Sequence, residues 1–485
     1  MKDYIESLQQ LSKSQLVLLL ARQRRQETER IAVVGMACRF PGGIDGPQQY
    51  WEALHAGRSV LAERGGIPKD STGRPRWNVA APDLAPLAGL LAQGAYLDAV
   101  DVFDAERFGI PDEEARHMDP QQRLLLTCAA EALEDAAPFD RAETRVGVFA
   151  GVSTVEYSFA ALRNGLGVEG LSPYMGTGGA LSATAARVAT GLGLNGPVLT
   201  VDTACSSALT ATHLATSALR RGECDVAIVG ACHLTLAPFT AGVFEQAGML
   251  SPTGRSRPFD SEADGHVRGE GCGVLVLRRE RDAEAAGDRP YALIKGSSVY
   301  QHGDRPAMAA VSSVAQRRVM AQALRDAAVD PHQVQYIEAQ ANGSKLGGVI
   351  EAEAIAETYR RATADAPPLY LGSAKANLGY LETASGAAGL IKTALALRNR
   401  VIPPQPGIDT PDPAVPWDRT GLRLPRTAVP WPQTGSPTAA VSAFGFTGTN
   451  AHVLMEGAAD PEPRPAPRGT AGRGRRHWSD DNIWS

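Results

Sequence analysis

One thiol sits in the segment Val201-Asp202-Thr203-Ala204-Cys205-Ser206-Ser207, between an apolar run, Val198 to Val201, that reads as a strand and a stretch that reads as a helix. Small residues flank the sulfur, so a thioester can approach it. The helix N-terminus lowers the cost of a thiolate there and offers a backbone N–H to an oxyanion. Cys205 is therefore the candidate nucleophile of an acyl transfer. The remaining cysteines, Cys38, Cys128, Cys224, Cys232 and Cys272, are scattered. With no CxxC pair and no histidine at ligand spacing, neither a zinc site nor a disulfide framework is indicated. Gly176-Thr177-Gly178-Gly179 lacks the lysine and preceding strand of a phosphate loop and reads as a turn.

The elements that must hold this thiol follow an α/β pattern. Short runs rich in Val, Ile and Ala alternate with helical stretches, at Val146 to Gly151, Val198 to Asp202, Val226 to Gly230, Ala292 to Ser297, Val334 to Ala339 and Tyr370 to Ser373. Such runs predict strands buried on both faces. Residues 1–30 read as one helix, with Ile5, Leu8, Leu11, Val17, Leu18 and Leu20 near helical spacing and a charged exit before a strand at Ile31 to Val34. This helix is expected to face a partner rather than the main core. Residues 31–457 form the body. Residues 458–485 shift to Pro, Arg and Gly and are expected to be unstructured alone, with Trp478 and Trp484 as a docking epitope or a loose end.

Composition excludes several classes. A chain of 485 residues, 44% hydrophobic and 21% charged, has room for two core-bearing halves. The net charge of -5 argues against nucleic acid as the main partner, because phosphate binding needs a concentrated basic surface. The N-terminal apolar run Leu16 to Ala21 is too short to span a membrane and lacks a cleavage site. The chain is expected to be cytoplasmic and reduced, and the sequon Asn342-Gly343-Ser344 to be unglycosylated.

Several long motifs in order resemble the β-ketoacyl synthase domains of modular polyketide synthases. They are Val33-Val34-Gly35-Met36-Ala37-Cys38-Arg39-Phe40-Pro41-Gly42-Gly43, Met118-Asp119-Pro120-Gln121-Gln122-Arg123, the Cys205 elbow, Phe259-Asp260 to Gly269-Glu270-Gly271, and Gly445-Phe446-Thr447-Gly448-Thr449-Asn450-Ala451-His452. The resemblance implies the thiolase fold, five-layered αβαβα with two halves related by a pseudo-two-fold, and a homodimer. It implies an acyl chain passed from the phosphopantetheine of an acyl carrier protein to Cys205, whose own N–H forms an oxyanion hole with that of Phe446. No metal or dissociable cofactor is implied. The 1–30 helix resembles docking helices that receive a chain from an upstream polyketide or hybrid peptide–polyketide synthase.

Two departures bear on the chemistry. Where the family reads roughly Glu-Ala-His-Gly-Thr-Gly-Thr, this chain has Glu338-Ala339-Gln340-Ala341-Asn342-Gly343-Ser344; where the family reads Lys-Ser-Asn-Ile-Gly-His, it has Lys375-Ala376-Asn377-Leu378-Gly379-Tyr380. Gln340 and Tyr380 thus replace the two catalytic histidines, while Lys375 and Glu382 keep step. Gly348-Val349 stands for an Asp-Pro, and the loop over 300–316 has lost most of the polar pattern. Glutamine cannot carry a proton, and a tyrosine of ordinary pKa, about 10, stays neutral. Losing an oxyanion donor costs about 3 to 4 kcal/mol and losing acid/base help about 10² to 10⁴ in rate, so decarboxylative elongation is expected to be crippled. His452 is expected to pack and hydrogen-bond. His302, in the altered loop, reads as a solvated histidine or a visitor to the pocket.

Four readings of such a site compete; in the last, the histidines were lost by decay and nothing replaced them, against which the coordinated changes around one pocket weigh. In the first, a chain loaded on Cys205 closes a ring within itself by aldol, Dieckmann-like, lactone- or lactam-forming attack and leaves. Proximity then supplies about 7 to 11 kcal/mol of what the histidines gave. Tyr380 acts as proton donor or acceptor, Gln340 orients a carbonyl, and Lys375 gives electrostatic support. In the second, a non-elongating enzyme only passes acyl chains between carrier proteins. In the third, a silent partner protein catalyses nothing, although its elbow is intact. The body being followed by no acyltransferase or carrier segment favours a free-standing ring-closing enzyme.

Overall fold

Runs of Val, Ile, Leu and Ala satisfy their backbone by pairing and bury both faces against helices. The computed structural model describes residues 10–63, 66–163, 168–303, 306–359, 367–432, 435–458 and 474–478. In it such runs join into an 11-stranded sheet. The strands are β1 (Ile31–Arg39), β2 (Val146–Gly151), β3 (Val198–Val201), β4 (Val226–His233), β5 (Gly271–Arg279) and β6 (Ala292–Gln301). They continue with β7 (Tyr336–Glu338), β8 (Leu369–Gly372), β9 (Leu422–Arg423), β10 (Thr438–Phe444) and β11 (Thr449–Gly457). Across the sheet the order is β9-β8-β7-β10-β11-β6-β1-β5-β4-β2-β3.

That order contains one pattern twice. Along β3-β2-β4-β5-β1 the successive pairings are parallel, parallel, antiparallel, antiparallel. Along β8-β7-β10-β11-β6 they are the same. The two sets meet where β1 and β6 pair antiparallel, with Ile31 opposite Ile294. The two similar halves implied by the sequence are thus visible in the topology.

Helices supply the other layers. α1 is Lys13–Glu27, α2 Pro120–Asp135, α3 Leu181–Leu192, α4 Ser207–Arg221, α5 Ser313–Ala327, α6 Lys345–Thr358 and α7 Ser385–Asn399. α4 and α7 pack on each other between the halves. α2 and α3 cover the first half, and α5, with α6 against it, covers the second. Separate apolar cores fill the centre and the two outer spaces, giving the α/β, thiolase-like αβαβα layering. β3 ends the sheet, with Val198 38% and Leu199 45% exposed. No helix of the described residues is long and apolar enough to cross a membrane.

Three expectations change. Residues 1–30 are not one unbroken helix: α1 begins at Lys13, where the Ser12 side chain caps it and Gln15 reaches back to close a capping box; residues 1–9 lie outside the described residues. Gly176-Thr177-Gly178-Gly179 belongs to a short helix, Tyr174–Gly179, rather than a turn. Gly178 lies so close to the His117 carbonyl that a Cβ would overlap it. Finally, 474–478 is docked rather than unstructured. Arg475–Arg476 pairs with Val102–Phe103, Arg476 reaches Asp70 at 3.2 Å, and Trp478 stacks on Tyr157 at 5.7 Å. Burying that indole against an aromatic ring outweighs the cost of ordering this short stretch of polar chain. Trp484 and 459–473 lie outside the described residues.

Candidate active site

The thiol stands on a strained elbow. β3 passes into a 3-10 turn, Ala204–Ser206, and then into α4. Ala204 has φ 53, a left-handed conformation that a non-glycine residue adopts only when its surroundings enforce it. The enforcing bonds are local: Asp202 Oδ1 accepts the Ala204 N–H at 2.9 Å, and Ser207 Oγ accepts the Thr203 N–H at 2.9 Å. Gly445 presses on this elbow, where a Cβ would fall 2.6 Å from the Thr203 carbonyl oxygen. That approach brings the Phe446 N–H to the Cys205 sulfur, which also takes its own N–H.

A second elbow faces the first. β8 leads through Lys375–Leu378 and Gly379 to Tyr380, and then through the 3-10 turn Glu382–Ala384 into α7. Glu382 has φ 46. Tyr380 is clamped by its backbone: its N–H donates to Val267 O at 2.7 Å and its carbonyl accepts Gly269 N–H at 2.8 Å. The hydroxyl bonds the Cys205 sulfur, and Gln340 Nε2 donates to the hydroxyl oxygen at 2.9 Å. Gln340 is held in turn by Glu351, whose two carboxylate oxygens accept the Gln340 and Ala341 N–H groups, each at 2.8 Å. Gln340, Tyr380 and Cys205 form one hydrogen-bonded row. Gln340 Oε1 is buried with no hydrogen-bond partner among the described residues.

Burial dominates the electrostatics. It pushes the Cys205 thiol up to about 11, against donation from Tyr380, Phe446 and its own N–H. The helix-terminus argument for an easily formed thiolate is therefore corrected: three donors do not offset full desolvation. Burial and the neighbouring sulfur hold Tyr380 well above the usual phenol value, so it stays a neutral phenol that donates to the sulfur and accepts from Gln340. Burial raises Glu351 to about 7 against its two N–H donors and Lys375. Burial also opposes charge on Glu382, but Arg268, with Nε 2.7 Å away, and His233, 3.3 Å away, outweigh it and hold this carboxyl well below the usual range.

The row opens into a cavity of about 520 Å³, within the range of small-molecule sites. Cys205, Gln340, Tyr380 and Phe446 all line it, as do Glu351 and Glu382. Lys375 does not. It is buried behind the wall, donating to Ala339 O at 3.0 Å, with its charge disfavoured by burial and supported by Glu338 and Glu351. It braces the strand end that carries Gln340. His302 stacks on Tyr300, 3.3 Å from Ser312 Oγ, outside the lining. His452 is buried between Tyr359 and Ser442, at 2.6 and 3.0 Å, a packing histidine as expected. The residue that sequence reasoning missed is His266, which lines the cavity beside Tyr380. Its only sequence signal was a histidine inside the Phe259 to Gly271 motif.

A thiol on an elbow between two thiolase-like halves, under the Phe446 N–H, is the frame of a condensing or acyl-transferring enzyme. The sequence matches the family models Beta-ketoacyl synthase, N-terminal domain over 28–283, Beta-ketoacyl synthase, C-terminal domain over 291–409, and Ketoacyl-synthetase C-terminal extension over 411–476. Two polypeptides of the phenolphthiocerol/phthiocerol polyketide synthase of Mycobacterium tuberculosis are each 44% identical to it. One aligns over 451 residues, covering 92% of this chain and 23% of that protein. The other aligns over 435 residues, covering 88% of this chain and 27% of that protein. The chain thus spans about a quarter of these relatives. Among solved structures, the ketosynthase from module 6 of the bacillaene synthase of Bacillus subtilis 168 superposes with TM-score 0.78 at 34% identity, covering 89% of this chain and 73% of that one. An oxazolomycin ketosynthase domain of Streptomyces albus JA3453 gives 0.79 at 33%, covering 90% and 76%. The chain belongs to the β-ketoacyl synthase family, as a ketosynthase domain of the polyketide synthase type.

Proposed function

We propose that Cys205 accepts an acyl chain from a carrier-protein thioester and that the site then closes a ring within that chain instead of extending it by decarboxylation. The observation that carries this reading is the row Gln340–Tyr380–Cys205, in which a glutamine and a neutral phenol occupy the positions at which the family motifs carry imidazoles. Before loading, the row is spent on the sulfur. The Gln340 N–H fixes the phenol oxygen, and the phenol proton faces Cys205, stabilising what thiolate forms.

Acylation changes that assignment. A thioester sulfur accepts hydrogen bonds poorly, so the Tyr380 hydroxyl becomes free to donate a hydrogen bond to an oxygen of the bound chain while Gln340 still holds its oxygen. The Phe446 and Cys205 N–H groups serve the thioester carbonyl. No group in the row both takes up and releases a proton near pH 7, so the row does not assist decarboxylation of a malonyl donor as paired imidazoles do. An internal donor carbon already made acidic by two carbonyls needs no such help. Lys375 steadies the Gln340 segment from behind.

The partners in this reading are an acyl carrier protein and, at α1, the end of an upstream synthase; Val17, Leu18, Leu19 and Leu20 are exposed there. The unpaired edge of β3, with its exposed Val198 and Leu199, supports pairing with a second copy. Incubation with an acyl-pantetheine surrogate, intact-mass measurement and small-molecule analysis test the function. Acyl-Cys205 followed by a cyclic product is the expected outcome. An adduct that leaves only to an added carrier protein points instead to transfer, and no adduct points to a silent partner protein.

A further inference from the structure

His266 is the one imidazole among the described residues that line the cavity, and backbone bonds build its place. Gly265, at φ 136, runs against Leu250, where a Cβ would fall 2.6 Å from the carbonyl carbon. The His266 N–H donates to Met249 O at 3.1 Å and its carbonyl accepts Ser251 N–H at 2.9 Å, while the next residue, Val267, accepts the Tyr380 N–H. Imidazole and phenol therefore pack edge to face, centroids 4.9 Å apart at 77°.

The tautomer follows from the neighbours. Asn342 Oδ1 is taken by the Ser344 N–H at 3.0 Å, which turns the Asn342 amide nitrogen toward His266 Nδ1, 3.4 Å away. Nδ1 is then the acceptor, and the proton of the neutral ring is on Nε2, which has no hydrogen-bond partner among the described residues. Burial lowers the imidazole pKa to about 4, with Glu382 opposing and Arg268 adding to the shift. At neutral pH the ring is uncharged. A neutral imidazole N–H lining a cavity is an electrophilic donor.

We propose that His266 is a catalytic hydrogen-bond donor whose Nε2–H holds the carbonyl oxygen that becomes an oxyanion as the ring closes. The assignment rests on the ring-closing reading. The donor carbon of the bound chain, flanked by two carbonyls, first loses its proton to water; that carbon then forms a bond to the carbonyl carbon, and the C=O π pair moves to oxygen. The charge arriving there meets Nε2–H, and no proton leaves the imidazole. The alkoxide then takes a proton from solvent, and the Tyr380 hydroxyl stays neutral throughout.

The test uses the full chain and a pantetheine thioester carrying a β-keto group and a second carbonyl further along. His266→Phe keeps an aromatic ring against Tyr380 but has no N–H. Loading of Cys205, read by intact mass, stays within about twofold of wild type, while ring closure falls about 100- to 1000-fold. His266→Gln, which retains an N–H of similar reach, recovers at least about tenfold of that loss. If His266→Phe does not fold by circular dichroism, His266→Leu takes its place. Wild-type protein that loads but never cyclises sinks the ring-closing reading. Wild-type protein that cyclises, with His266→Phe cyclising equally fast, overturns the His266 assignment alone. Equal losses of loading and closure in the Phe and Gln variants reduce His266 to packing and overturn it as well.

Discussion

The two halves of the molecule build the same turn and load it with different chemistry. In the first, a strand, a left-handed Ala204 and a buried helix present a thiol; in the second, a strand, a left-handed Glu382 and a buried helix present a phenol, Tyr380, and the Glu382 carboxylate. The left-handed residues have φ 53 and 46, so both turns store strain that the packed centre maintains. Shape and chemistry are separable here. The first elbow holds a thiol under backbone donors, whereas the second holds a phenol that stays neutral at neutral pH.

The sharpest break of this comparison removes the first elbow's sulfur. Cys205→Ala is expected to abolish the acyl adduct in intact-mass spectra and all product formation while leaving the fold intact, since the site is a cavity wall and not a core centre. The next largest effect comes from returning proton carriers to the second elbow. Gln340→His with Tyr380→His is expected to raise carbon dioxide release from a malonyl donor by about 100-fold or more, assayed with labelled carboxyl carbon. An unchanged rate shows that the imidazoles were not the missing parts.

Tyr380→Phe deletes the hydroxyl that bonds the sulfur. A hydrogen bond to a charged group contributes about 1.5–3 kcal/mol, so loading slows by roughly tenfold to a hundredfold in stopped-flow measurements. The pH profile sharpens the same point. With the thiol pushed up to about 11, its charged form is scarce at neutrality, and loading should rise about tenfold per pH unit from pH 6 to 9. Tyr380 titrates above that window and His266 below it, while Glu351, raised to about 7, titrates within it, so the profile is a rising slope with at most a shallow inflection near pH 7 and no bell. A plateau near pH 7 shows an ion pair at the sulfur that the geometry lacks. The smallest effect is Ala204→Gly, which relieves the left-handed strain and gains up to about 1 kcal/mol in denaturant unfolding.

Much of this was legible in the chain itself, for physical reasons. Short apolar runs bounded by turn residues, such as Val146–Gly151, read as strands buried on both faces, and the small residues around Cys205 permit the tight elbow that forms. Gln340 and Tyr380 stood out because the segments 338–344 and 375–380 resemble the family's two histidine motifs, and the structure places both on the sulfur's cavity. What failed depended on contacts between distant segments. The direction of the Cys205 shift needs the depth of its burial, which local sequence does not carry. His266 comes to Tyr380 only because 266–269 runs alongside residue 380, and Lys375 turns away because Ala339 O and two carboxylates lie behind it. Trp478 docks because Tyr157, from a distant part of the chain, offers it a ring.

The measurement that tests the central claim most directly is made on wild-type protein given an acyl-pantetheine and a malonyl donor together, with adduct mass and carbon dioxide recorded in the same reaction. The account predicts a mass increase at Cys205 with carbon dioxide no faster than in the Cys205→Ala control. Rapid carbon dioxide release coupled to a chain two carbons longer on Cys205 would contradict it.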